Sequence, residues 1–95
     1  MTKFVVHYKL EVKKGLNAEL VKKHIEHLRC LSQKNALFLC GIVKGKNEAF
    51  LIINADSKKD AKAYILQDPL IDRKHYSFEI YELIEANEDN NFLLW

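Results

Sequence analysis

The spacing of apolar residues switches between a period of two and a period near 3.6, in an order that few folds accommodate. Residues 3–12 alternate, with Phe4, Val6, Tyr8, Leu10 and Val12 on one side and Val5, His7, Lys9 and Glu11 on the other. That pattern is a half-buried strand. Lys13-Lys14-Gly15 interrupts it, and Asn17 then offers a helix N-cap. Residues 18–34 repeat at the helical period. Leu20, Val21, Ile25, Leu28 and Leu31 share one stripe, with Lys22, Glu26, Arg29 and Gln33 on the other side. Asn35 tolerates a left-handed backbone and stops this helix. Residues 36–43 are a nearly continuous apolar run, which predicts a central strand covered on both faces. A polar turn containing Gly45 leads to its hairpin partner over 48–54. Ser57 and Asp60 resemble a capping box, with Asp in place of the usual Glu, ahead of a short helix over 58–67. Ala61, Tyr64 and Ile65 form its inward side, and Asp68-Pro69 ends it. Residues 77–84 alternate as a last strand.

The order is β-α-β-β-α-β, the ferredoxin-like α+β arrangement of an antiparallel sheet with both helices on one face. At 95 residues the chain makes one small domain over 1–85 and a tail over 86–95. The two middle segments are apolar on both sides, so the face away from the helices also needs a cover. A second copy is the simplest one, giving a homodimeric α+β barrel. The tail is polar and acidic from Ala86 to Asn91 and ends in four large apolar residues, Phe92 to Trp95. It is expected to fray, dock on a partner subunit or plug a pocket.

Charge excludes one class of partner. Fifteen Lys+Arg against thirteen Asp+Glu leave +2, too balanced for a nucleic-acid footprint. No apolar run approaches the ~18–20 residues of a membrane span. The chain opens directly on a strand, without the pattern of a signal peptide. Cys30 and Cys40 are too few for a disulfide framework and read as free thiols, so a cytoplasmic, reducing setting is expected. No Gly-rich phosphate loop is present, and no cofactor is implied.

Two residues are out of character with their surroundings. With Leu20 at zero and ~100° per residue, His24 falls at ~40°, between Leu31 at ~20° and Leu28 at ~80°. It therefore lies inside the apolar stripe. A core histidine bonded to a backbone carbonyl is the plain explanation; a general acid or base is the sharper one. Asp68 lies on the stripe of Ala61, Tyr64 and Ile65, at a helix C-terminus whose dipole disfavours an acid. A turn at Asp-Pro would explain it, and so would a nearby cation such as His24. His27, at ~340° on the same scale, edges the stripe and reaches a pocket rim. His24 and His27 alone are too few to predict a metal site. His7 points away from the helices and would line a barrel interior. His75 sits in a Lys-rich loop and is expected in solvent.

The run His24-Ile25-Glu26-His27-Leu28-Arg29-Cys30-Leu31, continuing to Leu37, Leu39 and Gly41, resembles the YCII-related family. So do Ala49-Phe50-Leu51-Ile52-Ile53, Ala55-Asp56-Ser57, Ala61, Asp68-Pro69 and the aromatic strand around Tyr81. The likeness spans about residues 3 to 84. It implies a dimeric α+β barrel and a His–Asp dyad, which by motif is His24 and Asp68. It also implies enzymes of dehydrochlorinase or isomerase type acting on small ring compounds. Asn35 stands where the family often has Gly, the loop between the middle strands is short, and Leu70 replaces a usual Phe.

These observations give two expectations from different classes. One is a cofactor-independent lyase or isomerase, with His24 as acid or base, Asp68 orienting it, and His27, Tyr64 and His7 touching a small organic substrate. The other is a non-catalytic dimeric module that binds a small molecule or a partner protein. A third possibility, that His24 and Asp68 only fix helix packing, predicts loss of stability on removing either.

Overall fold

β1 (Thr2–Leu10) is the strand on which the rest is assembled. In the computed structural model, which describes residues 1–94, it pairs antiparallel with β3 (Glu48–Ala55) on one side and β4 (Tyr76–Leu83) on the other. β2 (Leu37–Ile42) pairs antiparallel with β3, giving the sheet order β2-β3-β1-β4. Helices α1 (Ala18–Gln33), α2 (Lys58–Leu66) and α3 (Pro69–Asp72) cover one face. A kinked 3-10 segment, Glu88–Leu93, closes the described chain.

Alternation in β1 decides which face is the core. Phe4, Val6 and Tyr8 point to the helices and are buried, together with Leu51, Ile53, Leu31, Ala61, Ile65 and Ile71. Burying one large apolar side chain contributes about 1.5–3 kcal/mol, so this layer holds the helices on. The helix starts follow their caps. The Asn17 side chain accepts from the Leu20 amide at 2.9 Å, and Ser57 from the Asp60 amide at 3.1 Å. Asn35 adopts φ 59° just past α1, the left-handed stop expected of it.

Several positions differ from the sequence reading. The apolar run 36–43 is an edge strand, not a central one. Its register shifts between Leu37 and Leu39, and Phe38, Leu39 and Ile42 stay exposed. Periodicity reports which side chains are apolar, and an edge strand with apolar residues on both faces carries the same signature as a central one. Cys40 on this strand is accordingly exposed rather than buried, as is Cys30.

α1 is rotated relative to its apolar stripe. Val21 and Ile25 face outward, while Leu20 and Leu31 are buried and His24, His27 and Leu28 lie half-buried beside them. β1 stops at Leu10, so Val12 is exposed. His75 is buried, not solvated. Its Nδ1 lies 2.7 Å from the Val12 carbonyl, and its own carbonyl accepts from the Glu11 and Val12 amides. Gly15 adopts φ 85°, the backbone region that favours glycine, beside that ring, which lies 3.5 Å from where a Cβ would stand, an ordinary contact distance.

After β4 the chain is exposed. Asn87 and Asn90 cap each other reciprocally, and Asn91, Phe92 and Leu93 all have left-handed backbones. Phe92, Leu93 and Leu94 present apolar side chains to solvent. Trp95 lies outside the described residues.

Candidate active site around Asp68

Asp68 is the least expected residue of the core, because its carboxylate is 0% exposed. An enclosed carboxylate is tolerated only where donors replace its water. Three do so here. Oδ1 accepts from the Leu70 amide at 2.9 Å. Oδ2 accepts from the Tyr8 hydroxyl at 2.8 Å and from His24 Nδ1 at 2.7 Å.

The local chain explains the first bond. Asp68 is not the tail of α2, which ends at Leu66 with Gln67 as its C-cap. It is the N-cap of α3, where Pro69 takes the first helical position and the Asp side chain collects an amide. The unfavourable helix-end placement predicted from sequence therefore does not arise.

The other two donors come from distant elements. Tyr8 reaches in from β1 and His24 from α1, so the site forms only once sheet and helices meet. Burial, and then the Asp68 charge, push the Tyr8 phenol far above its ordinary pKa. Tyr8 is therefore a fixed proton donor. With Nδ1–H committed to Asp68, the lone pair of a neutral His24 ring resides on Nε2. Among the described residues that atom has no partner, and it still reaches solvent, since His24 is 18% exposed and only His27 Nε2 is there both enclosed and unpartnered. A basic nitrogen open to the outside, backed by an enclosed carboxylate, can shuttle a proton.

His27 follows His24 by one turn. Burial pushes its pKa down, against the smaller opposing pull of Asp68. Its Nε2 is enclosed with no hydrogen-bond partner among the described residues. The Tyr64 ring packs partly against the core and carries Lys34 over its face, with Nζ 4.9 Å from the ring centre.

His7 lies on the opposite face of the sheet. It contacts Glu48 Oε1 through Nε2 at 2.6 Å and stacks on Phe50, with ring centres 4.6 Å apart. The structure thus brings His24 and Asp68 into contact, keeps His27 beside them and separates His7 from them. Among the described residues, no three His, Cys, Asp or Glu side chains converge as a metal site. No helix is long and apolar enough to cross a membrane.

Tyr8 escaped the sequence reading. Its signal was present: a phenol on the Phe4–Val6 side of β1 enters the core, and a buried hydroxyl needs a partner. Nothing in the sequence named that partner.

No family model and no curated protein matches the chain. Solved structures do. A muconolactone isomerase structure superposes with a TM-score of 0.77 at 13% identity, covering 90% of this chain and 92% of that one. 5-Chloro-2-hydroxyhydroquinone dehydrochlorinase from Burkholderia phenoliruptrix, in complex with 2,5-dihydroxybenzoquinone, gives 0.67 at 17% identity, covering 94% and 99%. Identities this low speak for the fold and not for the activity. The chain has the small α+β fold of a four-stranded antiparallel sheet with helices that is seen in muconolactone isomerase, the dimeric α+β barrel type.

Proposed function

We propose that the chain is a cofactor-independent enzyme of lyase or isomerase type, of the YCII-related kind, acting on a small cyclic or carbonyl-bearing molecule. The observation that carries this reading is the His24–Asp68 contact at 2.7 Å, with Asp68 enclosed and His24 Nε2 open. The named activities of the two structural neighbours, an isomerase and a dehydrochlorinase, agree with it.

In this reading Nε2 takes a proton from a carbon next to a carbonyl, and the electron pair moves into the carbonyl system. Asp68 stabilises the imidazolium that forms. Return of the proton to a different atom completes an isomerisation, and departure of a leaving group with its electron pair completes an elimination. His27 supplies a neutral imidazole one turn along α1, and Tyr64 borders it. His7 would meet a ligand only from a barrel interior. The protein works as a homodimer in the cytoplasm, where Cys30 and Cys40 remain free thiols.

The test is solvent-deuterium incorporation, followed by proton NMR, into a panel of small lactones and halogenated hydroxyquinones. His24→Ala abolishes incorporation and leaves the fold intact by circular dichroism. Incorporation that survives the substitution ends the reading.

A second reading, a dimeric binding module without chemistry, is favoured by one observation. A hollow lined by Val5, Leu39, Gly41, Phe50 and Ile52 opens on the bare sheet face, away from His24. A Cβ at Gly41 would meet nothing within 4 Å. Gly41→Arg therefore folds, and loss of a dimer in sedimentation would assign this face to self-association.

A further inference from the structure

Asp68 Oδ2 carries two donors where the dyad needs one. His24 Nδ1 lies 2.7 Å away and the Tyr8 hydroxyl 2.8 Å away. Tyr8 is 2% exposed, so no water competes for its proton. Its ring neighbours two others, with centres 6.3 Å from His24 and 6.1 Å from Tyr76. The strand pins it further: Tyr8 stands opposite Ala49 in β3 and Phe78 in β4. The phenol is thus held by the rigid centre of the sheet, while His24 is held by a helix and partly open to solvent.

We infer that Tyr8 is the positioning residue of this site: it fixes Oδ2 on the His24 side and moderates the bond from Oδ2 to that ring. The physical reason is the supply of donors to an enclosed carboxylate, which must replace the water it has lost. Oδ1 is taken by the Leu70 amide, and Tyr8 places a second, charge-assisted donor beside His24 on Oδ2. A further consequence follows from two donors sharing one oxygen. Each polarises the same lone-pair density, so each bond is weaker than it would be alone. Tyr8 thereby sets how tightly Asp68 grips His24.

The inference takes its meaning for catalysis from the dyad reading, but its test needs no substrate. In the intact chain, the His24 Nδ1–H proton resonance is followed by NMR. In Tyr8→Phe the remaining bond strengthens and the resonance moves downfield. Replacing Tyr8 with 3-fluorotyrosine, a stronger donor, moves it upfield. Tyr76→Phe, which alters the neighbouring ring only, leaves it in place.

A Tyr8→Phe resonance that stays in place in a folded protein overturns the inference, as does an equal shift in Tyr76→Phe. If Tyr8→Phe does not fold, the fluorotyrosine protein decides, and a resonance that does not move upfield overturns the inference. Absence of His24-dependent deuterium incorporation in the parent, with these shifts intact, would sink the enzyme reading and leave the role of Tyr8 standing.

Discussion

Consecutive residues of β1 serve two histidine–carboxylate pairs, one on each face of the sheet. Tyr8 points to the helices and meets His24–Asp68, whereas His7 points the other way and meets Glu48. The pairs are alike in residue type and distance, at 2.7 Å and 2.6 Å. They differ in enclosure. Asp68 is wholly buried with three donors, while the His7 and Glu48 side chains are each 25% exposed, with one bond between them. Water screens the second pair and leaves the first to the protein. Contact distance alone therefore does not tell a site from a surface pair; what surrounds the carboxylate does.

That contrast is tested most severely by Asp68→Ala. It leaves the Tyr8 hydroxyl, the Leu70 amide and His24 without their acceptor, so a loss of about 3–5 kcal/mol is expected in denaturant unfolding. A loss under 1 kcal/mol would mean that enclosure counts for little here.

Alkaline titration sharpens the same point. Tyr8 is held far above its ordinary pKa by burial and by Asp68. Its phenolate absorbance should appear only together with the unfolding transition. A raised folded pKa contributes stability that is present below the unfolded value of about 10 and is lost as pH rises beyond it. Tyr8→Phe should flatten that alkaline decline.

Acidification tests how far enclosure extends along α1. Burial lowers the pKa of His27. Such a group contributes stability that is present above the unfolded pKa of about 6.5 and is lost as pH falls toward the folded value. His27→Leu should remove this acid-side slope, and it leaves no unpartnered nitrogen behind.

The smallest effect belongs to the open face. Glu48→Gln should change stability by about 0–1 kcal/mol, and less at high salt. A loss matching that of Asp68→Ala would mean that the face is enclosed in solution, as a second copy covering it would require.

Much of the layout was legible in the chain. The switch from period two to period 3.6 and back produced the four strands and two main helices. Asn17, Ser57 and Asn35 marked helix ends where the structure has them. His24 and Asp68 stood out because each broke the pattern of its stripe. What failed did so for one reason. Val21 and Ile25 against His24 and His27 is a choice of helix rotation, and a run such as 36–43 does not say whether its second face meets protein or water. Each is settled by what packs opposite, and the sequence carries no term for that.

The sequence by itself determined the element order, the caps and the two residues out of place, because these depend on neighbours within a few positions. Only the tertiary structure decided that Tyr8 and His24 meet on one oxygen of Asp68 and that this carboxylate is enclosed. Those facts rest on contacts between residues 44 and 60 positions apart, and an enclosed carboxylate exists only once those contacts exclude water.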